Sequence, residues 1–434
     1  MTARRSLSSP VSAGSTGLSR RDLMRWLAYG SAAVGIGLPA CSTDRSDAPS
    51  AGRKRNLAQS PRVLVVIELG GGNDGWSTLI PYESGAFRDL RPTIGHRADE
   101  VIDWGDGVGL NARLSMLAKH KPAILEGIGT SDVDMSHFEM FARWHRGRVG
   151  ATAPSSGPAS DTDPTGVLGR ICDEVGGSDG LTGISLGWGD HPSMIAGRAA
   201  TTGLLPIKDS ALSDPRRAND QRSLVESLTR GTRGTRDVDD PVARAQRSLG
   251  LFADLLRLTI ELPAAPSTFP ESPLGDQLAF ATRLIAADAG IRVIHVPMGA
   301  AAFDTHIKHR ASHDALMDSI NAALPPFLDE LRRLGVADRV LVATASEFGR
   351  RPRQNGDGLD HGGASVAMLL GPVAAGRHGE PSPLNRFDPS DNLLATVEFD
   401  RYQATLASFL DVDPAAILPA SGGKAVEPIV GILA

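Results

Sequence analysis

Residues 62–75 read Arg62-Val63-Leu64-Val65-Val66-Ile67-Glu68-Leu69-Gly70-Gly71-Gly72-Asn73-Asp74-Gly75. An unbroken apolar run of this kind is what a parallel strand buried on both faces requires, because both rows of its side chains meet helices. The glycines end the run sharply and let backbone approach a ligand closely. The same pattern of run and break recurs at Ala123-Ile124-Leu125 before Gly127, and at 291–296, 339–345 and 366–370. Helical spacing fills the intervals. Ser272-Pro273 reads as an N-cap followed by proline at the first helical position, with Leu274, Leu278, Ala281 and Ile285 on one face. Leu316, Ile320, Leu324, Phe327, Leu331 and Leu334 repeat the period up to Gly335, a C-cap, and Pro325-Pro326 is expected to kink or split that helix. Alternation of strand and helix predicts an α/β fold, a doubly wound and mostly parallel sheet with helices on both faces. No clean boundary appears, so residues 61–434 are read as one domain, with a loop at 150–165 and a polar insertion at 205–245.

The whole chain has 434 residues, 41% of them hydrophobic and 22% charged, a globular rather than disordered composition. Its start reads differently. Ser19-Arg20-Arg21-Asp22-Leu23-Met24 is a twin-arginine pattern, followed by an apolar stretch from Trp26 to Ala40 that is short of a membrane-spanning helix. Leu38-Pro39-Ala40-Cys41 resembles a lipobox with Cys41 as the acylated residue. Residues 1–41 are therefore read as a leader for the Tat translocase and 42–60 as a tether, which implies a periplasmic protein or a membrane-anchored lipoprotein. Cys172 is the only other cysteine, so the mature domain is expected to lack an internal disulfide. The leader carries five arginines against one aspartate, so the mature part is more acidic than the net −5 of the chain. That balance excludes nucleic acid as a partner, and leaves the lipid anchor as the one expected membrane contact.

In an open parallel sheet, ligands bind beyond the carboxyl ends of the strands. Asp74 stands in the glycine loop after the first run. Phe303-Asp304-Thr305-His306 follows the run at 291–296, Ser346-Glu347-Phe348-Gly349-Arg350-Arg351 follows that at 339–345, and Asp360-His361-Gly362-Gly363 precedes that at 366–370. Asp74, Asp304, His306, Glu347, Asp360 and His361 are thus the candidate ligands of a divalent ion. Mixed carboxylate and imidazole donors suit Zn, Mn or Fe better than Mg or Ca. Each has an ordinary alternative: Asp74 as a helix cap, Asp304 and His306 as a loop pair, Glu347 as an ion-pair partner of Arg350 or Arg351, Asp360 as a brace for a surface His361. Ser136-His137-Phe138-Glu139 has the spacing of a capping box, although a serine at a helix N-terminus also suits a nucleophile, with His137 beside it as ligand or acid/base. The loop spacing GGGNDG differs from G-x-G-x-x-G, which argues against a dinucleotide site.

Taken together, the leader, residues 65–81, Arg88-Asp89-Leu90-Arg91-Pro92 and the four segments above resemble bacterial domain-of-unknown-function family 1501. So does the stretch Tyr402-Gln403-Ala404-Thr405-Leu406, continuing to Asp413. That family looks like a branch of the alkaline phosphatase/sulfatase superfamily. The resemblance implies an alkaline phosphatase-like sheet with metal at its carboxyl edge. It matches Asp74 to the acid after the first strand, Asp304 and His306 to a later Asp/His pair, and Asp360-His361 to a last histidine. Glu347-Phe348 stands where an Asp-His pair is usual, so Phe348 departs from the pattern. The expected function is a metal-dependent hydrolase of small anionic phosphate or sulfate esters, with Ser136 and His137 as catalytic candidates and Arg350 and Arg351 as substrate-binding ones. The alternative is a non-catalytic exported protein that binds metal or a partner.

Overall fold

The computed structural model describes residues 61–147, 165–176, 181–187, 191–204, 268–418 and 425–434. The leader, Cys41, the tether and the 205–245 insertion lie outside them. Among the described residues no helix is long and apolar enough to cross a membrane.

The opening run forms strand β1 (Val63–Glu68), buried along its whole length. Its side chains alternate between two cores: Val65 and Ile67 belong to one, Leu64 and Val66 to the other. This is the packing that a continuous apolar strand encodes. β1 is central in a nine-stranded sheet. The other strands are β2 (Ala123–Gly129), β3 (Leu181–Leu186), β4 (Ala200–Leu204), β5 (Val293–Pro297), β6 (Val340–Ala345), β7 (Ser365–Leu370), β8 (Gly376–Gly379) and β9 (Val397–Glu398). Their order is β8-β2-β7-β6-β1-β5-β3-β4, with β9 also paired to β2. β1 runs parallel to both β5 and β6. β7 runs antiparallel to β6 and β2, an exception within the mostly parallel sheet. The exception matters for the site, because residues just before β7 reach the edge where β1, β5 and β6 end.

Helices cover both faces. On one side lie α1 (His137–Arg146), α2 (Val167–Val175) and α5 (Phe399–Phe409); on the other lie α3 (Pro273–Ala286) and α4 (His309–Arg333). Ser272 caps α3 as its sequence suggests, its hydroxyl accepting from the Gly275 amide at 3.1 Å with Pro273 following. α4 corrects an expectation. It is continuous for 25 residues through Pro325-Pro326 and begins seven residues before Leu316. Buried Leu324, Phe327, Leu328 and Leu331 hold it against the sheet, so packing outweighs the hydrogen bonds lost at the prolines. Gly335 ends it with φ +71°, the left-handed conformation expected there.

Candidate metal centre

The glycine loop after β1 is packed closely against neighbouring segments. Gly71 has φ +107°, and a Cβ there would lie 2.5 Å from the Asp304 amide nitrogen. Gly72, at φ +82°, leaves room for the Phe348 ring, which a Cβ would meet at 2.6 Å. The Gly71 amide donates to Glu347 Oε1 at 2.8 Å. The loop after β1 therefore locks together the segments after β5 and β6.

Around this loop the side chains of Asp304, His137, His361 and His306 converge. Asp304 Oδ1 lies 3.4 Å from His137 Nε2, 3.3 Å from His361 Nε2 and 3.1 Å from His306 Nε2. The donor atoms of His137, Asp304 and His361 all lie within 4.8 Å of one another. His306 Nε2 is 2.9 Å from His361 Nε2, but its ring is 43% exposed, making it the outermost member.

The far sides of two rings decide which nitrogens face inward. His361 Nδ1 is 2.7 Å from the Met135 carbonyl, which can only accept, so in the neutral ring Nδ1 carries the proton and Nε2 presents its lone pair. His137 Nδ1 is 2.6 Å from Glu347 Oε1, and donating to that carboxylate likewise leaves Nε2 with a lone pair. His137 Nε2 is buried and without a hydrogen-bond partner. A carboxylate or carbonyl behind an imidazole is the outer arrangement of a histidine that ligates metal. Phe348 braces both rings, its centroid 4.8 Å from each.

Charge follows the geometry. Burial would raise the Asp304 carboxyl, but the Arg350 hydrogen bond and charge, with His137 and His306, bring it down to about 2. Burial pulls His137 down, yet Glu347 and Asp304 outweigh it and the ring is more basic than usual. Burial, with the Arg350 and His137 charges, pulls His361 down. One anionic oxygen facing imidazole lone pairs suits a borderline divalent ion such as Zn, and the donor set fits the metal expected from sequence.

Other candidates occupy different positions. Asp74 is fully buried and gripped by Arg91 at 2.5 Å and 2.9 Å, with His309 Nε2 at 3.3 Å from its Oδ2. Burial would raise its carboxyl, but the Arg91 charge and the hydrogen bonds from His309 and Arg91 hold it well below the ordinary range. It does not join the converging group. Asp360 stands behind His306, 3.4 Å from its Nδ1, and accepts from Asn355 at 3.2 Å. Arg350 is wholly buried: it donates to the carbonyls of Gly72, Leu359, Phe303 and Gly71 and to Asp304 Oδ1 at 2.7 Å. It positions the loop and the aspartate and has no face open to a substrate. The Arg351 Nε is buried without a hydrogen-bond partner. Ser136 holds the N-cap position of α1 by backbone conformation, but its side chain makes no capping bond. The capping box is thus not formed, since the Ser136 amide donates instead to Asp134 at 2.7 Å and the turn is set by that aspartate.

Beneath the Asp74 pair lies His313, buried, with Nε2 3.1 Å from Asn73 Oδ1. Burial and the neighbouring His309 push it from 6.5 down to about 3. The unfolded chain therefore binds a proton that the fold refuses, so stability is complete above pH 6.5 and falls as the pH is lowered towards 3. The expected slope is up to about 1.4 kcal/mol per pH unit from this residue. Urea denaturation of His313→Gln between those limits should show a shallower pH dependence than wild type; equal slopes would refute the assignment.

Ps i-CgsB in complex with k-i-k-neocarrahexaose is similar at 13% identity and a TM-score of 0.42, covering 86% of this chain and 75% of that one. PsFucS1 sulfatase from Pseudoalteromonas sp. is similar at 12% identity and 0.40, covering 87% and 73%. A variant of TAB5 alkaline phosphatase with Mg bound is similar at 10% identity and 0.35, covering 82% and 99%. No curated protein matches. Residues 195–386 match the model of the family described as "Protein of unknown function (DUF1501)", so the resemblance drawn from the motifs is shown for that stretch.

Proposed function

We propose that the protein is an exported, metal-dependent hydrolase of phosphate or sulfate esters, with the ion held by His137, Asp304 and His361. The supporting observation is the buried His137 Nε2, which has no hydrogen-bond partner, faces Asp304 and is backed by Glu347. When bound, such an ion would supply a Lewis acid able to polarise an ester oxygen and acidify water. Glu347 and the Met135 carbonyl hold the two imidazoles in the ligating tautomer, and Arg350 holds Asp304 anionic. With both nitrogens of His137 engaged, His306 becomes the proton carrier: it is exposed, and Asp360 stands behind it. Ser136 lies between Met135 and His137 at the start of α1 with its hydroxyl free of capping, which suits it to attack an ester beside the helix amides. Arg351, rather than Arg350, is the anion-binding candidate.

A second reading, a non-catalytic metal-binding protein, is favoured by one observation: Arg350, the basic group nearest Asp304, is directed wholly inward. Metal analysis and turnover separate the two. The mature protein is expected to carry stoichiometric Zn, Mn or Fe, to melt lower after chelation, and to hydrolyse aryl phosphate or aryl sulfate only when loaded. Metal without turnover favours the second reading. If the protein holds no metal and added Zn or Mn leaves its melting temperature unchanged, both fail.

Glu347→Gln offers a graded check. Losing the carboxylate behind His137 should weaken metal binding about 10- to 100-fold without abolishing it. Affinity measured by competition with a chelating dye should fall in that range, and an unchanged value would remove Glu347 from the centre.

A further inference from the structure

Helix α1 carries His137, Phe141 and His145 at successive fourth positions, one above another on a single face. The Phe141 ring stands between the two imidazoles, 6.3 Å from His137 and 5.2 Å from His145. The first histidine belongs to the centre above. The other reaches a separate group at the end of β1, where His145 Nε2 is 2.8 Å from Glu68 Oε2. Glu68 also faces His191 Nε2 at 3.5 Å from Oε1 and His295 Nε2 at 3.5 Å from Oε2. The donor atoms of Glu68, His191 and His295 lie within 4.8 Å of one another, and all three residues are buried.

Two features separate this group from an ordinary buried hydrogen-bond network. The His295 Nε2, on a residue only 1% exposed, has no hydrogen-bond partner although it points at the carboxylate. Burying such an atom unsatisfied is unfavourable, a cost a ligand would remove. Each of the two rings is also braced on its far side by a serine: Ser185 Oγ is 3.0 Å from His295 Nδ1, and Ser193 Oγ is 2.8 Å from His191 Nδ1. Each serine hydroxyl can accept from its Nδ1, and in that tautomer both Nε2 lone pairs face Glu68. The rings of His191 and His295 stack with centroids 4.0 Å apart, so both nitrogens reach the same small volume.

We propose that Glu68, His191 and His295 form a second, enclosed site for a borderline divalent transition ion, of the zinc class, with His145 hydrogen-bonded to the glutamate. Two imidazoles and one carboxylate exclude Mg and Ca as the preferred occupants. The burial marks a structural site: an ion there ties β1 and β5 to the 191–194 turn and, through His145, to α1. Because α1 also supplies His137, the second site fixes the register of the helix that serves the first.

The test uses the mature protein carrying Asp304→Asn, in which the proposed hydrolytic centre is disabled. Titrated with Zn and followed by calorimetry, this variant is expected to bind one equivalent. Adding His295→Gln should weaken that binding by about 100-fold or more, and adding Ser185→Ala instead by about 10- to 100-fold. No binding by the Asp304→Asn protein overturns the proposal without touching the hydrolase reading, which is judged on the wild type. Undiminished binding after His295→Gln overturns it as well. Should His295→Gln fail to fold, X-ray absorption of the Zn-loaded Asp304→Asn protein decides: a shell of two imidazoles and a carboxylate supports the site, and a water-dominated shell overturns it.

Discussion

Arg91→Met is expected to destabilise the protein by about 3–5 kcal/mol, because it strands the fully buried Asp74 carboxylate without a cation. The arginine does more than neutralise. It donates twice to Asp74 and also to the carbonyls of Pro352 and Arg351 at 2.9 Å and 3.0 Å, with Trp76 and Phe87 against its plane. A methionine fills much of the space and keeps the apolar contacts, so the loss reads the charge. The double variant Arg91→Met/Asp74→Leu should recover a large part of the stability, since it removes both charges together. Urea denaturation of the three proteins checks this; a single-variant loss below about 1 kcal/mol would show that the pair is solvated and the burial argument mistaken. Asp74→Asn should leave metal content unchanged while lowering stability, which separates a structural aspartate from a ligand.

Asp304→Asn is expected to have the opposite profile. Among the described residues its carboxylate alone contacts all three of His137, His306 and His361, and its oxygen is the point on which their nitrogens converge. An amide of the same shape keeps an acceptor for Arg350 but loses the charge that attracts a divalent ion. Affinity at the proposed metal centre should fall by more than the ~10- to 100-fold expected of an outer partner, and any ester turnover should fall to background. Elemental analysis with aryl ester assays on wild type, Asp304→Asn and His361→Gln reads it. Retention of full turnover in Asp304→Asn would end the metal-hydrolase reading.

Much of the architecture is legible in local pattern. A strand buried on both faces is apolar at most positions, and β1, β5 and β6 announce themselves that way. Ser272-Pro273 and Gly335 mark helix ends by backbone chemistry that needs no tertiary context. Strands with weaker patterns, such as Leu181–Leu186 and Gly376–Gly379, are not legible, because glycine and polar residues interrupt them and the pairing with neighbouring strands that helps to hold them shows in no local window. Pro325-Pro326 misleads for the same reason: helix packing, absent from any local window, overrides the local penalty. Glu68 and His295 are visible as polar residues inside apolar runs, and that anomaly is the one signal of the second cluster available without coordinates.

The order of residues by itself determined that strands alternate with helices, and that Asp304, His306, Glu347 and His361 stand at strand ends, since hydrophobic periodicity and chain breaks are properties of neighbours. Only the tertiary structure decided which of those side chains share a pocket. The antiparallel setting of β7 carries His361 to the common edge, α1 adds His137 from a distant segment, and Arg91 takes Asp74 out of reach. The physical reason is that charge pairing and ligation act through space at a few ångströms, a distance that sequence separation does not encode.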